Sequence, residues 1–453
     1  MSRPQRFRFL ALALPLTLAA CGGGSGGGSS LALPAPHEPI NETTPLGSAG
    51  VIKHVVILVQ ENRSFDNLFE GFPGANTASS GTASNGSQVA LVPRTLEDGH
   101  DLGHFHYSFE TEYDGGKLDG FDQVKEFGIV NGLYNPLPNS DPHYSFAYVP
   151  QTETQPYWQL AQQYALGDET FQSNSGPSFP AHQYLIAGQS DDADEVPQNM
   201  PWGCDAPAGS RVPQLTPSGT DSPGVFPCFD YTTLADSMDA AGVTWRYYTP
   251  QLTTRSGGQF SAYDAIRHIR YGPDWTTDEV NPETQIFSDL TSGTLPQVSW
   301  VIPSFENSDH PLAASNTGPS WVTSVVNAIG ASPYWDSTAV FVTWDDWGGW
   351  YDNVRPPQVD LMGLGFRVPL VVVSPYSKHG YVSHAQHEFG SILRFTEETF
   401  GLKPLGTRDI FSDDLRDCFD FSQTPPAYRT ISTRYRKDFF MHQVHSGRPP
   451  DLV

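Results

Sequence analysis

The sequence predicts an α/β sandwich with a largely parallel central sheet, and three observations carry that expectation. Uninterrupted apolar runs recur: Val55-Val56-Ile57-Leu58-Val59, Ala339–Thr343 and Val368–Val373. Runs this short and rich in β-branched residues suit strands buried on both faces. Helical stripes alternate with them, the pattern of βα units. The chain is also long enough, at 453 residues, for one large α/β domain.

Taken in order, residues 1–20 read as a signal peptide. Arg3, Arg6 and Arg8 precede an apolar stretch, Phe9 to Ala20, that is too short to span a bilayer. Leu18-Ala19-Ala20-Cys21 resembles a bacterial lipobox, in which the Cys is lipidated and becomes the mature N-terminus. Residues 21–48 are then the lipidated Cys21 and a flexible Gly/Ser/Pro linker. The alternative is a plain secreted protein cleaved nearby. Residues 49–425 are expected to form the catalytic domain and 426–453 an extended tail packed on its surface.

Within the domain the first strand is expected at 53–60. Residues 70–155 read as ordered loops over a site. Helices are expected at Pro156–Ala165, Ala181–Gly188 and Thr232–Ala241, the last capped by Asp230 or Thr232 and ended by Gly242. Strands follow at Val243–Tyr248 and Val298–Ile302. The stripe Val322, Val325, Val326, Ile329 gives a helix, and Glu388–Phe400 closes the domain with another. Residues 190–228 are a Pro-rich insertion in which Cys204 and Cys228 are paired as a disulfide, leaving Cys418 unassigned.

The formal charge is −25, and loss of residues 1–20 removes three Arg and no acid, giving about −28. Such a surface disfavours nucleic acid, which needs clustered Lys and Arg, and disfavours electrostatic docking on anionic lipid.

The chemistry gathers at strand ends. Glu61-Asn62 directly follows the first strand, and Asp345-Asp346 follows Ala339–Thr343 with only Trp344 between. In open α/β sheets, ligands bind beyond the carboxyl ends of strands. Adjacent carboxylates repel, and a bound divalent cation relieves that conflict. Four oxygen donors favour Ca²⁺, Mg²⁺ or Mn²⁺, while a histidine joining them moves the preference toward Zn or Fe. The plainer alternatives are an Asx turn at Asn62 and two solvated loop acids. Ser175-Gly176-Pro177-Ser178-Phe179-Pro180-Ala181-His182 places Ser178 at a helix start, where free N–H groups favour an anion. Ser178 is either a helix cap or a nucleophile activated by a metal. His104 and His310 lie where they can contact phosphate or protonate a leaving oxygen.

These motifs together resemble the bacterial phosphoesterase family of phospholipases C and AcpA-type acid phosphatases. The shared features are Glu-Asn-Arg-Ser-Phe-Asp (61–66), the Gly-Pro-Ser-x-Pro turn, Asp309-His310-Pro311, Trp-Asp-Asp-x-Gly-Gly-x-Tyr-Asp (344–352), and Arg367-Val368-Pro369 with Val372-Val373-Ser374-Pro375. They run in order from about residue 52 to 422. The resemblance implies an alkaline-phosphatase-like, three-layer α/β/α fold and a divalent metal on Glu61, Asn62, Asp345 and Asp346. It further implies Ser178 as the nucleophile forming a phosphoserine, with His104 and His310 at the phosphate or leaving group. The implied substrates are small phosphate esters or phospholipids, met outside the cytoplasm.

Three departures stand out. Ala181-His182 replaces an Asn-Arg, so His182 is read as the substitute phosphate contact. Asn353 and Phe389 stand where family members carry His. Two other readings remain at this stage. One is a sulfatase-type hydrolase, since Ser178–His182 is one residue from a Ser/Cys-x-Pro-x-Arg signature. The other is a non-catalytic surface lipoprotein on the same fold.

Overall fold

The computed structural model describes residue 39 and residues 45–130 and 133–444. The expected signal peptide, Cys21, most of the linker and the chain beyond 444 lie outside the described residues.

Eight strands make the central sheet: β1 (His54–Gln60), β2 (Ala165–Gly167), β3 (Trp245–Tyr248), β4 (Glu279–Val280), β5 (Val298–Val301), β6 (Thr338–Trp344), β7 (Leu370–Val373) and β8 (Tyr381–Ser383). Their spatial order is β4-β3-β5-β1-β6-β7-β2-β8. Only β7 runs against the rest, antiparallel to β6 and to β2; every other pairing is parallel. β1 and β6 lie in the middle, and all but the first residue of β1 is buried, as expected of a strand covered on both faces.

The helices include α1 (Phe65–Phe69), α2 (His106–Tyr113), α3 (Gln151–Gln163), α4 (Ser178–Ala187), α5 (Leu234–Ala241), α6 (Gln285–Ser292), α7 (Gly318–Gly330), α8 (Phe389–Phe400) and α9 (Lys437–His442), with short helical turns between α5 and α6. Strand side chains alternate between faces, and this sorts the helices into layers. Phe341 meets Phe395 of α8, and Trp300 donates to the Leu185 carbonyl of α4. Phe341 and Trp300 both stand level with Ile57, so α4 and α8 share one face. Trp344, three residues beyond Phe341, points the other way and meets Tyr157 of α3. The result is the expected three-layer α/β/α sandwich.

Several boundaries differ from the sequence reading. α3 starts at Gln151, not Pro156, and carries Pro156 inside it. Its buried face (Thr154, Tyr157, Trp158, Leu160, Ala161) outweighs the proline's missing N–H. α5 is capped by Thr233 through a reciprocal capping box with Asp236, not by Asp230 or Thr232. The tail from 426 is not a simple extended segment. It buries Ile431 and Phe440 in the main core, sets Phe440 against Trp321, and ends in α9.

Residues 70–155 carry short strands, α2 and a separate aromatic core of Phe109, Phe121, Phe146, Trp347, Tyr351 and Phe366. That core supports the loop after β6 from below. In the 190–228 insertion Cys204 and Cys228 are joined in a disulfide, while Cys418 is free and buried.

Candidate metal centre and catalytic site

β1 and β6 pair with Gln60 opposite Trp344, so the residues that follow each strand emerge side by side. The Asp345 N–H donates to the Gln60 carbonyl at 2.9 Å, and the Arg63 N–H to the Asp346 carbonyl at 3.0 Å. Asn62 takes a left-handed conformation, φ 58°, which turns the chain sharply here. Its N–H donates to Asp345 Oδ1 at 2.9 Å. Gly348 makes the close approach possible: at φ 63°, an added Cβ would sit 2.3 Å from the Asn62 carbonyl oxygen.

The other residues of the hexapeptide hold this turn in place. Ser64 Oγ accepts from the Asn67 N–H, capping α1, and donates to the Tyr351 carbonyl. Arg63 Nε donates to the Asp309 carbonyl. Asp66 lies 3.8 Å from Arg367, whose guanidinium pairs with Asp352 at 2.8 and 3.1 Å and with Asn353 Oδ1 at 2.6 Å. The Asn at 353 is therefore absorbed by a buried clamp.

Glu61, Asn62, Asp345 and Asp346 are all buried. Burial first, then the neighbouring carboxylates, push the Glu61 and Asp346 acids well above the usual range. Glu61 Oε2, Asn62 Oδ1 and Asp345 Oδ2 face no hydrogen-bond donor. Buried acceptors without donors are costly, and a divalent cation held between Glu61 and Asp345 would satisfy theirs. The residues present thus fit a metal.

His182 joins this group. One turn beyond Ser178 on α4, its Nε2 lies 3.0 Å from Glu61 Oε1 and 3.8 Å from Asp345 Oδ2. Glu61, His182 and Asp345 each offer a ligand atom within 4.8 Å of the others. Burial lowers the imidazole to about pH 4, so the ring is neutral, as a metal ligand requires. It stacks on Phe260 at 5.3 Å. The sequence reading made His182 a phosphate contact; in the structure its Nε2 faces the Glu61 and Asp345 carboxylates. The available signal was its i, i+4 spacing from Ser178, which puts both on one helix face.

Ser178 is the first residue of α4, and the N-cap is Pro177, with no side-chain cap bond. The hydroxyl does not cap the helix but donates to Asp346 Oδ2 at 3.1 Å.

The two predicted histidines differ. His104 Nδ1 donates to the Leu102 carbonyl at 2.7 Å, and Nε2 lies 2.9 Å from Asn62 Nδ2 and 4.0 Å from Asp346 Oδ2. Burial alone would lower it, but Asp346, Asp101 and the Leu102 carbonyl raise it to about 9. Asn62 Nδ2 only donates, so that contact describes the neutral ring, with its hydrogen on Nδ1 and a lone pair on Nε2. The hydrogen bonds define the resting ring; the carboxylates define how readily it takes a proton. His310 accepts at Nδ1 from the Leu312 N–H, which leaves the proton of a neutral ring on Nε2. Burial and then Arg255, His104 and Arg63 hold its pKa well below the ordinary value.

Asp309, missed at the sequence level, ties the strand ends together. Its Oδ2 accepts from Tyr157 at 2.6 Å, Trp344 at 3.2 Å and Gln60 at 3.3 Å.

A model of the Phosphoesterase family matches residues 52–403. The chain is 25% identical over 474 aligned residues to a hemolytic phospholipase C of Pseudomonas aeruginosa, covering 89% of this chain and 61% of that protein. It is 24% identical over 433 residues to phospholipase C B of Mycobacterium tuberculosis, covering 83% and 78%. The chain thus spans about three-fifths of the length of the Pseudomonas relatives. Among solved structures, an alkaline phosphatase superfamily protein from Vibrio parahaemolyticus aligns at 13% identity and TM-score 0.38, over 82% of this chain and 71% of that one.

Proposed function

Because this chain belongs to the Phosphoesterase family, we propose that it hydrolyses phosphate esters through a phosphoserine on Ser178. The observation that supports this most strongly is the Ser178 hydroxyl aimed at Asp346, beside buried acceptors that lack donors. Glu61, Asn62, Asp345 and Asp346, with His182 beside them, would hold a divalent cation. When bound, it supplies Lewis-acid stabilisation to a phosphoryl oxygen and to the serine oxygen.

The chain's own groups do the rest. Asp346 accepts the hydroxyl hydrogen and aims Oγ. In the first displacement the Ser178 Oγ–P bond forms as the bond from phosphorus to the ester oxygen breaks. The departing oxygen takes a proton from His104 Nε2 after the ring, neutral in its resting hydrogen bonds, is protonated there, which the surrounding carboxylates favour. His310, neutral with hydrogen on Nε2, donates a hydrogen bond rather than a proton. Water then attacks phosphorus and gives a proton back to His104, while the Oγ–P bond breaks and Oγ recovers its proton from Asp346, freeing phosphate and restoring both groups.

Ester choice, between a soluble phosphomonoester and a phospholipid, is read by the loops at 70–155 and 190–228. We also read Cys21 as a lipidated, exported N-terminus, which the mass of the mature N-terminal peptide decides. The test of function is Ser178→Ala, assayed on a chromogenic phosphomonoester and on phosphatidylcholine, with metal content measured after dialysis. Lost turnover with unchanged metal supports the role; retained turnover removes it. A parent protein that cleaves neither ester would return the chain to the non-catalytic reading.

A further inference from the structure

Near its C-terminal end the strongly acidic chain carries a local reversal of charge. Between residues 426 and 444, Arg429, Arg434, Arg436 and Lys437 are all exposed and Asp438 is the only acid, against a chain total of −25. The same segment is unusually greasy. Seven large hydrophobic side chains are exposed among the described residues, and three of them, Phe439 (39%), Met441 (41%) and Val444 (90%), fall within 439–444. Cations and exposed apolar groups interleaved in this way suit a lipid surface, where the apolar groups enter the interface and the cations meet headgroup phosphates. An acidic protein partner would use the charges but gain less from Val444 and Met441.

The neighbouring surface fits that partner. A groove of about 800 Å³ runs beside the segment, and its only charged lining residues are Arg436 and Lys437. Its apolar wall includes Phe287, Leu290 and Ile431. Lys437 and Phe287 continue into an adjoining groove with Met441. The segment is firmly tied to the fold, because Phe440 is buried against Trp321. It is also tied to the reaction edge: Asn307 Nδ2 donates to Gln443 Oε1 at 2.8 Å, and Asn307 lies three residues before His310.

We propose that residues 429–444 form a docking surface for an anionic phospholipid bilayer, seating the His310 edge of the site against the membrane. The acidity of the whole chain does not forbid this. At 0.1 M salt the Debye length is about 10 Å, so charges on the far side of the molecule are screened while the local cations are not.

The test is vesicle co-sedimentation of the full chain carrying Cys21→Ser, so that no lipid at that residue contributes. Phosphatidylcholine vesicles are compared with vesicles containing one quarter phosphatidylglycerol, at low and high salt. The expected result is salt-sensitive binding to the anionic vesicles only. Arg434→Ser/Arg436→Ser/Lys437→Ser should lower partition on the order of a hundredfold, and Phe439→Ser/Met441→Ser should also weaken it. Both variants should turn over a soluble phosphomonoester like the parent. Equal binding to neutral vesicles, or unchanged binding by both variants, overturns the proposal. Sedimentation needs no turnover, so failure here and failure of the hydrolase reading are separable.

Discussion

Removing the cation should make stability fall as pH rises, and the slope can be worked from the buried acids. Glu61 and Asp346 have folded-state pKa values raised well above those of the unfolded chain, by burial and by mutual repulsion with Asp345. A carboxyl with a raised folded pKa costs nothing below its unfolded value, about 4.5. Above that, folding must retain a proton that the unfolded chain releases, and stability falls until the folded pKa is reached. One retained proton costs about 1.4 kcal/mol per pH unit. Across pH 5 to 7.5, each unit over which the proton is retained lowers Tm by roughly 2 °C for a domain of roughly 400 residues. A second retained proton doubles it. The assay is differential scanning calorimetry of metal-loaded and chelator-stripped protein across that range. Stripped protein should lose Tm with rising pH while loaded protein does not, so the gap widens. Glu61→Gln supplies a sign reversal: it should stabilise stripped protein at pH 7.5 and abolish the gain from metal. A gap that stays constant with pH would refute the argument that these acids are held together by a cation.

Three further outcomes follow from particular contacts. Gly348→Ala forces a left-handed alanine and pushes its Cβ toward the Asn62 carbonyl. It should cost about 1–2 kcal/mol in urea unfolding but lower kcat/KM on the order of a hundredfold, because it displaces a ligand; an effect on stability alone would contradict this. Tyr157→Phe removes the 2.6 Å bond to Asp309 and should cost about 2 kcal/mol, with metal content retained. Glu397 is raised to about 9 by burial and by Asp409, so Glu397→Gln should stabilise the protein above about pH 4.5, increasingly so up to about pH 9, and leave it unchanged below.

The sequence shows the fold best where one signal suffices. The runs at 55–59 and 339–343 are strands, as is 370–373 within the run 368–373, and all are covered on both faces. Glu61-Asn62 and Asp345-Asp346 could be placed because each follows such a run closely. What stayed hidden depends on tertiary pairing. The reversal of β7 leaves no trace in Leu370–Val373, since a buried strand reads alike in either direction. The three-residue strands β2 and β8 are too short to show a period. His182 looked like a phosphate contact because its neighbour in sequence is the Ser178 turn, yet helix geometry swings it toward Glu61. Asp309 gathers Tyr157, Gln60 and Trp344 from three separate elements, and no local pattern announces that.

The central claim is that Ser178 carries the phosphoryl group. Rapid quenching of the metal-loaded enzyme during turnover of a phosphomonoester, followed by digestion and mass spectrometry, reads this directly. One phosphoryl group is expected on the peptide containing Ser178, absent when substrate is withheld and absent in Ser178→Ala. An unmodified Ser178 during active turnover, with the phosphoryl group on His104, on His310 or nowhere on the chain, would contradict it.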